Sequence, residues 1–240
     1  MKIYAFSQKG INKIENEDRI IIGKSIISGG LYSCELESGV IAIADGVGGN
    51  NAGFVASHFV ANMVSQLKEV NVDEFLAINN DLIDLSRSKD AYKGMATTLT
   101  GIFLDNMTTV LFNVGNSRVY SIQSGKYLKQ LTKDDTTLNF LLETRQISEQ
   151  DVESFNRKNE ITSCFGGGDA GILKIKCVDL SQTISSLLVT SDGIHDHLSV
   201  DQMEDIIAEH GISTTACEKM TEEARRCGSE DDISVIIGEI

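Results

Sequence analysis

Four short acidic segments lie beside apolar, β-favouring stretches of the chain, and they are the residues best suited to chemistry. They are Glu17-Asp18, Asp45-Gly46, Asp192-Gly193 and Asp231-Asp232. Acids at strand ends lie on the rim of a core, where several together repel one another unless they are protonated or bound to cations. Because oxygen ligands without histidine or cysteine suit hard cations, the pattern indicates Mg²⁺ or Mn²⁺.

Glycine follows two of these acids, Asp45 and Asp192, and lets the backbone approach an ion closely. Spacing alone does not bring the four segments together. From the residues alone, the alternative is that these acids cap turns or face solvent. A calcium-binding structural protein is disfavoured, because the chain has no Asp-x-Asp-x-Asp-Gly loop.

The composition limits the classes of protein to which the chain can belong. It has 21 Lys+Arg against 35 Asp+Glu, a formal net charge of −14, and 41% hydrophobic residues. The acidity argues against a binder of nucleic acid or anionic membrane, and the hydrophobic content excludes global disorder. Five cysteines without a CxxC pair predict neither a zinc site nor a disulfide framework. With no signal-peptide core and no long apolar run, we expect a cytoplasmic protein that does not enter a membrane.

Hydrophobic periodicity predicts the elements that must position the acids. A buried strand over 39–44 is expected to deliver Asp45 to its end, and two amphipathic helices follow it. Short turns between the next four segments predict an antiparallel meander over 97–131. The remaining predicted strands are 2–7, 18–23, 172–179, 184–191 and 233–240, and the remaining helices are 137–156, 199–209 and 213–227.

Helices are grouped in pairs between runs of strands rather than alternating singly with them. This order favours antiparallel sheets covered by helices over a doubly wound parallel sheet. No linker rich in proline, glycine or serine divides the chain, so a single domain over 1–240 is predicted.

Eight motifs, in order along the chain, resemble those of the metal-dependent protein phosphatases, the type 2C serine/threonine phosphatase family, in its compact bacterial form. They are Asn16-Glu17-Asp18, Ala44-Asp45-Gly46-Val47-Gly48-Gly49, Ala96-Thr97-Thr98-Leu99, Val114-Gly115-Asn116-Ser117-Arg118, Leu131-Thr132-Lys133-Asp134-Asp135, Ile161-Thr162, Thr190-Ser191-Asp192-Gly193 and Asp231-Asp232-Ile233-Ser234. The resemblance implies an α+β fold, a four-layer α-β-β-α sandwich of two antiparallel sheets flanked by helix pairs. It also implies that 137–171 forms a flap beside the site.

The same resemblance implies two Mn²⁺ or Mg²⁺ ions held by carboxylates. Asp45 matches the acid that bridges the two ions, and Gly46 matches the residue whose carbonyl oxygen binds one of them. Asp192 and Asp231 match the other direct ligands, and Glu17 matches the acid that holds a metal-bound water. Two such ions make a bridging hydroxide available at neutral pH, and this hydroxide attacks phosphorus in line without a phospho-enzyme.

Two further positions are implied to assist catalysis. Asp18 matches an acid that the family keeps just outside the direct ligands. Lys13 stands where the family usually has an arginine that binds phosphate through two hydrogen bonds. Lysine is a point charge rather than a fork, so weaker or less oriented phosphate binding is expected.

Two positions depart from the family pattern within the acid motifs. Asn116 replaces an acid that, together with the acids matching Asp192 and Asp196, helps to bind a third ion. Because an amide offers oxygen without charge, we expect a weak third site. Asp232 replaces an asparagine, and its added charge is expected either to strengthen metal binding or to face solvent.

The chain is therefore predicted to be a metal-dependent phosphoserine/phosphothreonine protein phosphatase. Its partner is expected to be a phosphoprotein, the target of a bacterial serine/threonine kinase, whereas its oligomeric state is not predicted. The alternative is a pseudophosphatase, a weak or inactive regulatory binding module of the same fold. Lys13 and Asn116 favour this alternative, and the retained acids disfavour it.

Overall fold

Two antiparallel sheets form the centre of the molecule in the computed structural model, which describes residues 1–47, 52–105, 108–152, 154–168, 172–180 and 184–239. The strands are β1 (Lys2–Gln8), β2 (Asp18–Ile22), β3 (Ser25–Ile27), β4 (Gly30–Glu35), β5 (Gly39–Val47), β6 (Ala96–Thr97), β7 (Leu99–Leu104), β8 (Thr109–Val114), β9 (Arg118–Gln123), β10 (Tyr127–Gln130), β11 (Phe165–Gly166), β12 (Lys176–Asp179), β13 (Ser186–Thr190) and β14 (Ile233–Glu239). The helices are α1 (Gly53–Val64), α2 (Val72–Arg87), α3 (Thr137–Glu143), α4 (Asp192–His195), α5 (Val200–His210) and α6 (Thr214–Arg226), with short 3₁₀ turns at Asp90–Tyr92 and Glu149–Asp151.

One sheet has the strand order β10-β9-β13-β14-β1-β4, and the other has β11-β6-β5-β7-β8-β12, with β2 beside β5 and β3 beside β2. All of these pairings are antiparallel. The first and last strands, β1 and β14, are neighbours in the middle of their sheet. Acids near both ends of the chain therefore reach the same edge of the sandwich.

Successive side chains of each strand point to opposite faces of the sheet and so enter different layers. Ile41 and Ile43 of β5 enter the core between the two sheets, whereas Ala42 and Ala44 join the core beneath α1 and α2. Each fully buried isoleucine of this kind contributes roughly 2 kcal/mol of transfer free energy. A third apolar core packs α5 and α6 on the outer face of the other sheet. The predicted α+β four-layer sandwich with flanking helix pairs is confirmed.

Polar side chains mark where the longer helices begin. Asn71 accepts a hydrogen bond from the backbone N–H of Glu74 at the start of α2. Ser199 and Ser213 cap α5 and α6 in the same way. Such caps satisfy N–H groups that have no partner within a helix. Among the helices of the described residues, none combines the length and apolar character needed to cross a membrane.

The predicted meander is wrong at one point. Strands β8 and β9 follow each other closely, but β8 pairs with β7 and β12, whereas β9 pairs with β10 and β13 in the other sheet. The chain changes sheet at residues 115–117, where Gly115 has a φ of 105° and lies against Thr98. The short turn predicted a hairpin between β8 and β9. This prediction failed because alternating hydrophobicity does not reveal the partner of a strand.

The helix predicted over 137–156 is shorter in the structure. Helix α3 ends at Glu143, and Arg145 then adopts a φ of 56°, which a helix does not allow. The strand predicted over 172–179 begins only at Lys176. Residues 153 and 169–171 of the expected flap lie outside the described residues, and the flap and the single domain stay predictions.

Candidate active site

The pairing of β2 with β5 brings the first two acids together. Asp18 lies opposite Asp45 in the antiparallel register. Asp45 lies within β5, which continues to Val47, and not at a strand end as predicted. The sequence motif fixes the backbone here, because the Thr97 hydroxyl donates to the Asp45 carbonyl (2.9 Å) and Asp45 N–H donates to the Thr98 hydroxyl (3.1 Å). The resemblance had given these two threonines no role.

Glycines let the backbones around these acids approach closely. A Cβ on Gly46 would lie 2.4 Å from the Gly53 carbonyl oxygen and 2.9 Å from that of Glu17. A Cβ on Gly193 would lie 2.1 Å from the Asp232 carbonyl oxygen. Both glycines are therefore required by the close contact of neighbouring segments, and the acids beside them are held in fixed positions.

Asp192 is delivered by the end of β13. The N–H of Ser191 donates to the Ser234 carbonyl (3.0 Å), which ties this end to β14, and Asp192 then opens the four-residue helix α4. The Asn116 amide donates to Asp192 Oδ2 (3.0 Å). Burial, and then the charge of Asp231, raise the pKa of Asp192, and the hydrogen bond from Asn116 partly offsets the rise.

We call Asp18, Asp45 and Asp192 the inner acids. Asp18 is fully buried, and neither of its carboxylate oxygens has a hydrogen-bond partner among the described residues. Burial, and then the charge of Asp232, raise the pKa of Asp18 to about 8. Burial, followed by the charges of Asp18 and Asp192, raises the pKa of Asp45 well above its usual range. The inner acids thus crowd three carboxyl groups in a poorly solvated position where ionising them is costly, and at Asp45 the charge of Lys13 offsets that cost only in part.

We call Glu17, Asp231 and Asp232 the outer acids. The Lys13 ammonium lies 3.0 Å from Glu17 Oε2, 2.8 Å from Asp231 Oδ1 and 3.3 Å from Asp232 Oδ2. Burial by itself would lower the pKa of Lys13, but the hydrogen bond and charge of Asp231, with Glu17 and Asp232, raise it above its ordinary value. Lys13, predicted as a phosphate contact, is thus already paired with carboxylates.

The alternative that Asp232 faces solvent is wrong. Its side chain is 2% exposed, and its two carboxylate oxygens accept hydrogen bonds from the N–H groups of Gly10 (2.7 Å) and Glu17 (2.8 Å). Asp232 therefore holds the loop that carries Lys13 and Glu17. No feature of the sequence indicates this role of Asp232 beyond its place next to Asp231.

The adjoining motif residue Asn16 fixes the other side of the same loop. Its amide donates to the Ser7 hydroxyl and to the Ser28 carbonyl (2.9 Å each), and its Oδ1 accepts the N–H of Asp18 (2.9 Å). Glu17 is consequently held between the buried side chains of Asn16 and Asp232. Its side chain is only 15% exposed.

The residues predicted for a third ion lie on the side of the expected flap. Asp196 is exposed and accepts a hydrogen bond from the Asn159 amide (2.5 Å). Asp196 and Asn116 border an open cavity of about 410 Å³, on whose wall Lys133 and Lys158 also lie. The Asn116 amide donates to the Asp192 carboxylate, so Asn116 acts here as a hydrogen-bond donor.

As they stand, no three His, Cys, Asp or Glu side chains within the described ranges are arranged to hold a metal ion. Lys13 occupies the space between the outer acids instead. The donor set is nonetheless the oxygen-rich set that Mg²⁺ and Mn²⁺ prefer. Two further observations fit such ions: the unpartnered, buried carboxylate of Asp18, and the close backbone packing that leaves no room for a side chain at Gly46.

Comparison with known proteins identifies the class of this sandwich. A family model described as protein phosphatase 2C matches residues 31–226. The serine/threonine phosphatase stp of Listeria welshimeri is 29% identical over 88% of both chains, and protein phosphatase PhpP of Streptococcus pneumoniae is 30% identical over 82% of this chain and 84% of that protein. The chain belongs to the protein phosphatase 2C family. The predicted family is confirmed.

Solved structures share the fold over its whole length. The Mycobacterium tuberculosis serine/threonine phosphatase PstP/Ppp has a TM-score of 0.82 at 24% identity, covering 100% of this chain and 99% of that one. The catalytic domain of PstP solved with two manganese ions has a TM-score of 0.76 at 23% identity, with the same coverage. These similarities support the sandwich architecture described above.

Proposed function

We propose that this chain hydrolyses phosphoserine and phosphothreonine in phosphoproteins with the help of two divalent metal ions held by the inner and outer acids. The enzyme class, a protein serine/threonine phosphatase of the 2C type, follows from the family and from the curated relatives. The observation that carries the proposed mechanism is the convergence of Asp18, Asp45 and Asp192, whose ionisation is opposed by burial and by the neighbouring acids, so that bound cations would favour their charged form.

We assign the metal ligands to five positions. Asp45 would bridge the two ions, Gly46 would offer its carbonyl oxygen, and Asp192 and Asp231 would complete the direct ligands. Glu17 would hold a water on one ion. When bound, two Mn²⁺ or Mg²⁺ ions would supply the charge that activates water and neutralises phosphoryl oxygens.

The protein's own residues would position the reactants. Thr97 and Thr98 hold the Asp45 backbone, so its carboxylate does not move as charge develops. Asp18, buried opposite Asp45, would hold a proton, because burial and the charge of Asp232 raise its pKa. Lys13 is the cation nearest the acids and would meet the phosphoryl group, with less directional binding than an arginine would give.

The comparisons with known proteins also support a choice of metal and of substrate. The two manganese ions of the PstP catalytic domain support Mn²⁺ as one suitable ion. A third ion near Asn116 and Asp196 would bind weakly, because Asn116 carries no charge. Membership of the family makes phosphoproteins the substrates, and we propose that a serine/threonine kinase phosphorylates them. A cytoplasmic location stays a prediction.

The alternative of an inactive binding module has no support from the comparisons, because the curated relatives at 29% and 30% identity are named as phosphatases. The direct ligands proposed here are also all present in this chain. The substitutions at positions 13 and 116 therefore favour altered kinetics over loss of activity.

The test is hydrolysis of p-nitrophenyl phosphate and a phosphothreonine peptide in EDTA, Mg²⁺ or Mn²⁺. We expect turnover only with metal and a loss of about 1,000-fold in Asp192→Asn, a size typical of removing a key electrostatic group. Asp201→Asn, at an exposed acid in the first turn of α5, is the matched control. Turnover that persists in EDTA would refute the mechanism.

A further inference from the structure

An ammonium group occupies the point where the outer acids meet. Lys13 Nζ contacts one carboxylate oxygen of each of Glu17, Asp231 and Asp232 within 3.3 Å. Among the ion pairs of the described residues, these three acids share no other cation. Arg225 lies close by, but its guanidinium donates to the backbone carbonyls of Lys9, Ser229 and Asp231 instead. The charge balance of the outer acids therefore depends on Lys13.

The loop that carries Lys13 is built to keep it there. Asp232 accepts the N–H groups of Gly10 and Glu17, one on each side of Lys13 along the chain. The N–H of Ile11 donates to the Glu230 carbonyl (2.9 Å), and a Cβ on Gly10 would come within 2.7 Å of that same oxygen. These hydrogen bonds hold the loop against the segment before β14. They therefore limit the positions that the Lys13 ammonium can occupy.

Two of the residues that Lys13 contacts also belong to the proposed metal site: Asp231 would bind an ion directly, and Glu17 would bind it through a water. The same carboxylate oxygens cannot bind an ammonium and a divalent ion equally strongly at the same time. A cation already in place also reduces the attraction that an incoming ion feels. The two forms of the site are then coupled, and a coupling free energy acts in both directions.

We propose that Lys13 is a built-in counter-ion that Asp232 holds among the outer acids, and that a divalent ion must displace it. Lys13 thereby lowers the metal affinity of this half of the site, and metal binding frees its ammonium for the phosphoryl group. The inference rests on the proposed metal-dependent function. It assigns a positioning role to Asp232 and a second role to Lys13.

The test is a calorimetric titration with Mn²⁺ of the wild type and of Lys13→Met, which keeps the length of the side chain and removes its charge. We expect at least one Mn²⁺ to bind about tenfold more tightly in Lys13→Met, within the usual range of coupling between sites. Lys24→Met, which changes an exposed lysine in the turn between β2 and β3, is the control and should leave the dissociation constants unchanged. Thermal melts would show that each variant is folded.

The outcomes separate this inference from the proposed function. Unchanged or weaker Mn²⁺ binding in Lys13→Met, with normal binding by the wild type, overturns the counter-ion role alone. Absence of Mn²⁺ binding in both proteins overturns the metal-dependent function as well. Binding that appears only in Lys13→Met supports the counter-ion role in its strongest form.

A double-mutant cycle tests the part played by Asp232. In the wild-type background, Asp232→Asn both removes a negative charge and releases Lys13, and these effects on Mn²⁺ affinity oppose each other. In the Lys13→Met background there is no lysine to release, so the loss of the charge and of one acceptor for the N–H groups of Gly10 and Glu17 should weaken Mn²⁺ binding several-fold. Additive effects of the two substitutions would show that Asp232 does not hold Lys13. If Asp232→Asn fails to fold, the Lys13→Met titration still decides the main point.

Discussion

The inner and outer acids carry the same chemical groups and balance their charge differently. Around Asp18 and Asp45, burial raises the pKa of each carboxyl group, and the charge of Lys13 offsets the rise at Asp45 only in part. Around Glu17 and Asp231, a lysine supplies the missing positive charge, and Asp231 remains 50% exposed. Without metal, one half of the site relies on protons and the other on a side chain.

This difference shows that the acids do not contribute equally to stability. Replacing an inner acid by its amide removes a buried carboxyl group that is costly to ionise, whereas replacing an outer acid leaves Lys13 with fewer partners. Function and stability should therefore change in opposite directions within the inner acids. Variants that break this pattern would show that the division is wrong.

The largest effect is expected for Asp45→Asn. Its activity with Mn²⁺ should fall about 1,000-fold, because the proposed bridging charge is lost, while the metal-free protein becomes more stable. Paired measurements of kcat/KM and of urea unfolding in EDTA check both halves of this prediction. Asp73→Asn, at an exposed acid in α2, should change neither. A less stable Asp45→Asn protein would contradict the view that this carboxyl group is costly to ionise.

Asp18 should make the stability of the metal-free protein fall as pH rises. Its pKa is about 8 when folded, against 3.8 as the ordinary value, so the folded state binds the extra proton between these limits. Asp45, Asp192 and Asp232 face it and strengthen the effect. Asp18→Asn should raise the free energy of unfolding at pH 8 by up to about 5 kcal/mol and flatten its pH dependence. Urea unfolding at pH 5 and pH 8 in EDTA measures both. An unchanged slope would mean that another group titrates.

A smaller effect is expected at the outer acids. Lys13→Arg introduces the planar fork that grips phosphate through two hydrogen bonds, so KM for a phosphothreonine peptide should fall about threefold. The kcat should change less, since the acids that hold metal are untouched. Lys9→Arg is the matched control. A rise in KM would indicate that the longer guanidinium stays locked among the outer acids.

The smallest effect is expected for Asn116→Asp. The change removes the amide that donates to Asp192 and places a second carboxylate there, so the metal-free melting temperature should drop by about 2 °C. At high Mn²⁺ concentration the loss should disappear, because the new charge favours a third ion. Asn80→Asp, on the exposed side of α2, serves as the control in the same thermal melts. A drop that persists at high Mn²⁺ would argue against a third ion at this position.

The sequence predicted the layers well because each layer has its own hydrophobic period. The helix pairs and the strands around Ile41 and Ile43 follow directly from that period. It did not reveal that β8 and β9 lie in different sheets, because a strand's pattern shows which face is buried and not which strand lies beside it. The short strands β3 and β11 also carry too few residues to show a pattern.

The candidate site was predicted as a set of acids, and its internal contacts were not. Position in the motifs pointed to Asp45 and Asp192, but no feature of the sequence indicates that Lys13 reaches three carboxylates. The buried role of Asp232 also depends on β14 lying next to β1. Such long-range contacts are set by tertiary packing, which local patterns do not report.

The central place of β14 has a consequence for how the protein is made. The hydrogen bond from Glu17 N–H to Asp232 joins residues that are 215 positions apart. At a synthesis rate of about 5 to 20 residues per second, roughly 10 to 40 s separate the translation of these two residues. Throughout that interval β1 lacks β14, and β13, which is translated near the end of the interval, then lacks this neighbour as well. The nascent chain therefore carries two unpaired strand edges, and chaperones or premature aggregation would act on it there.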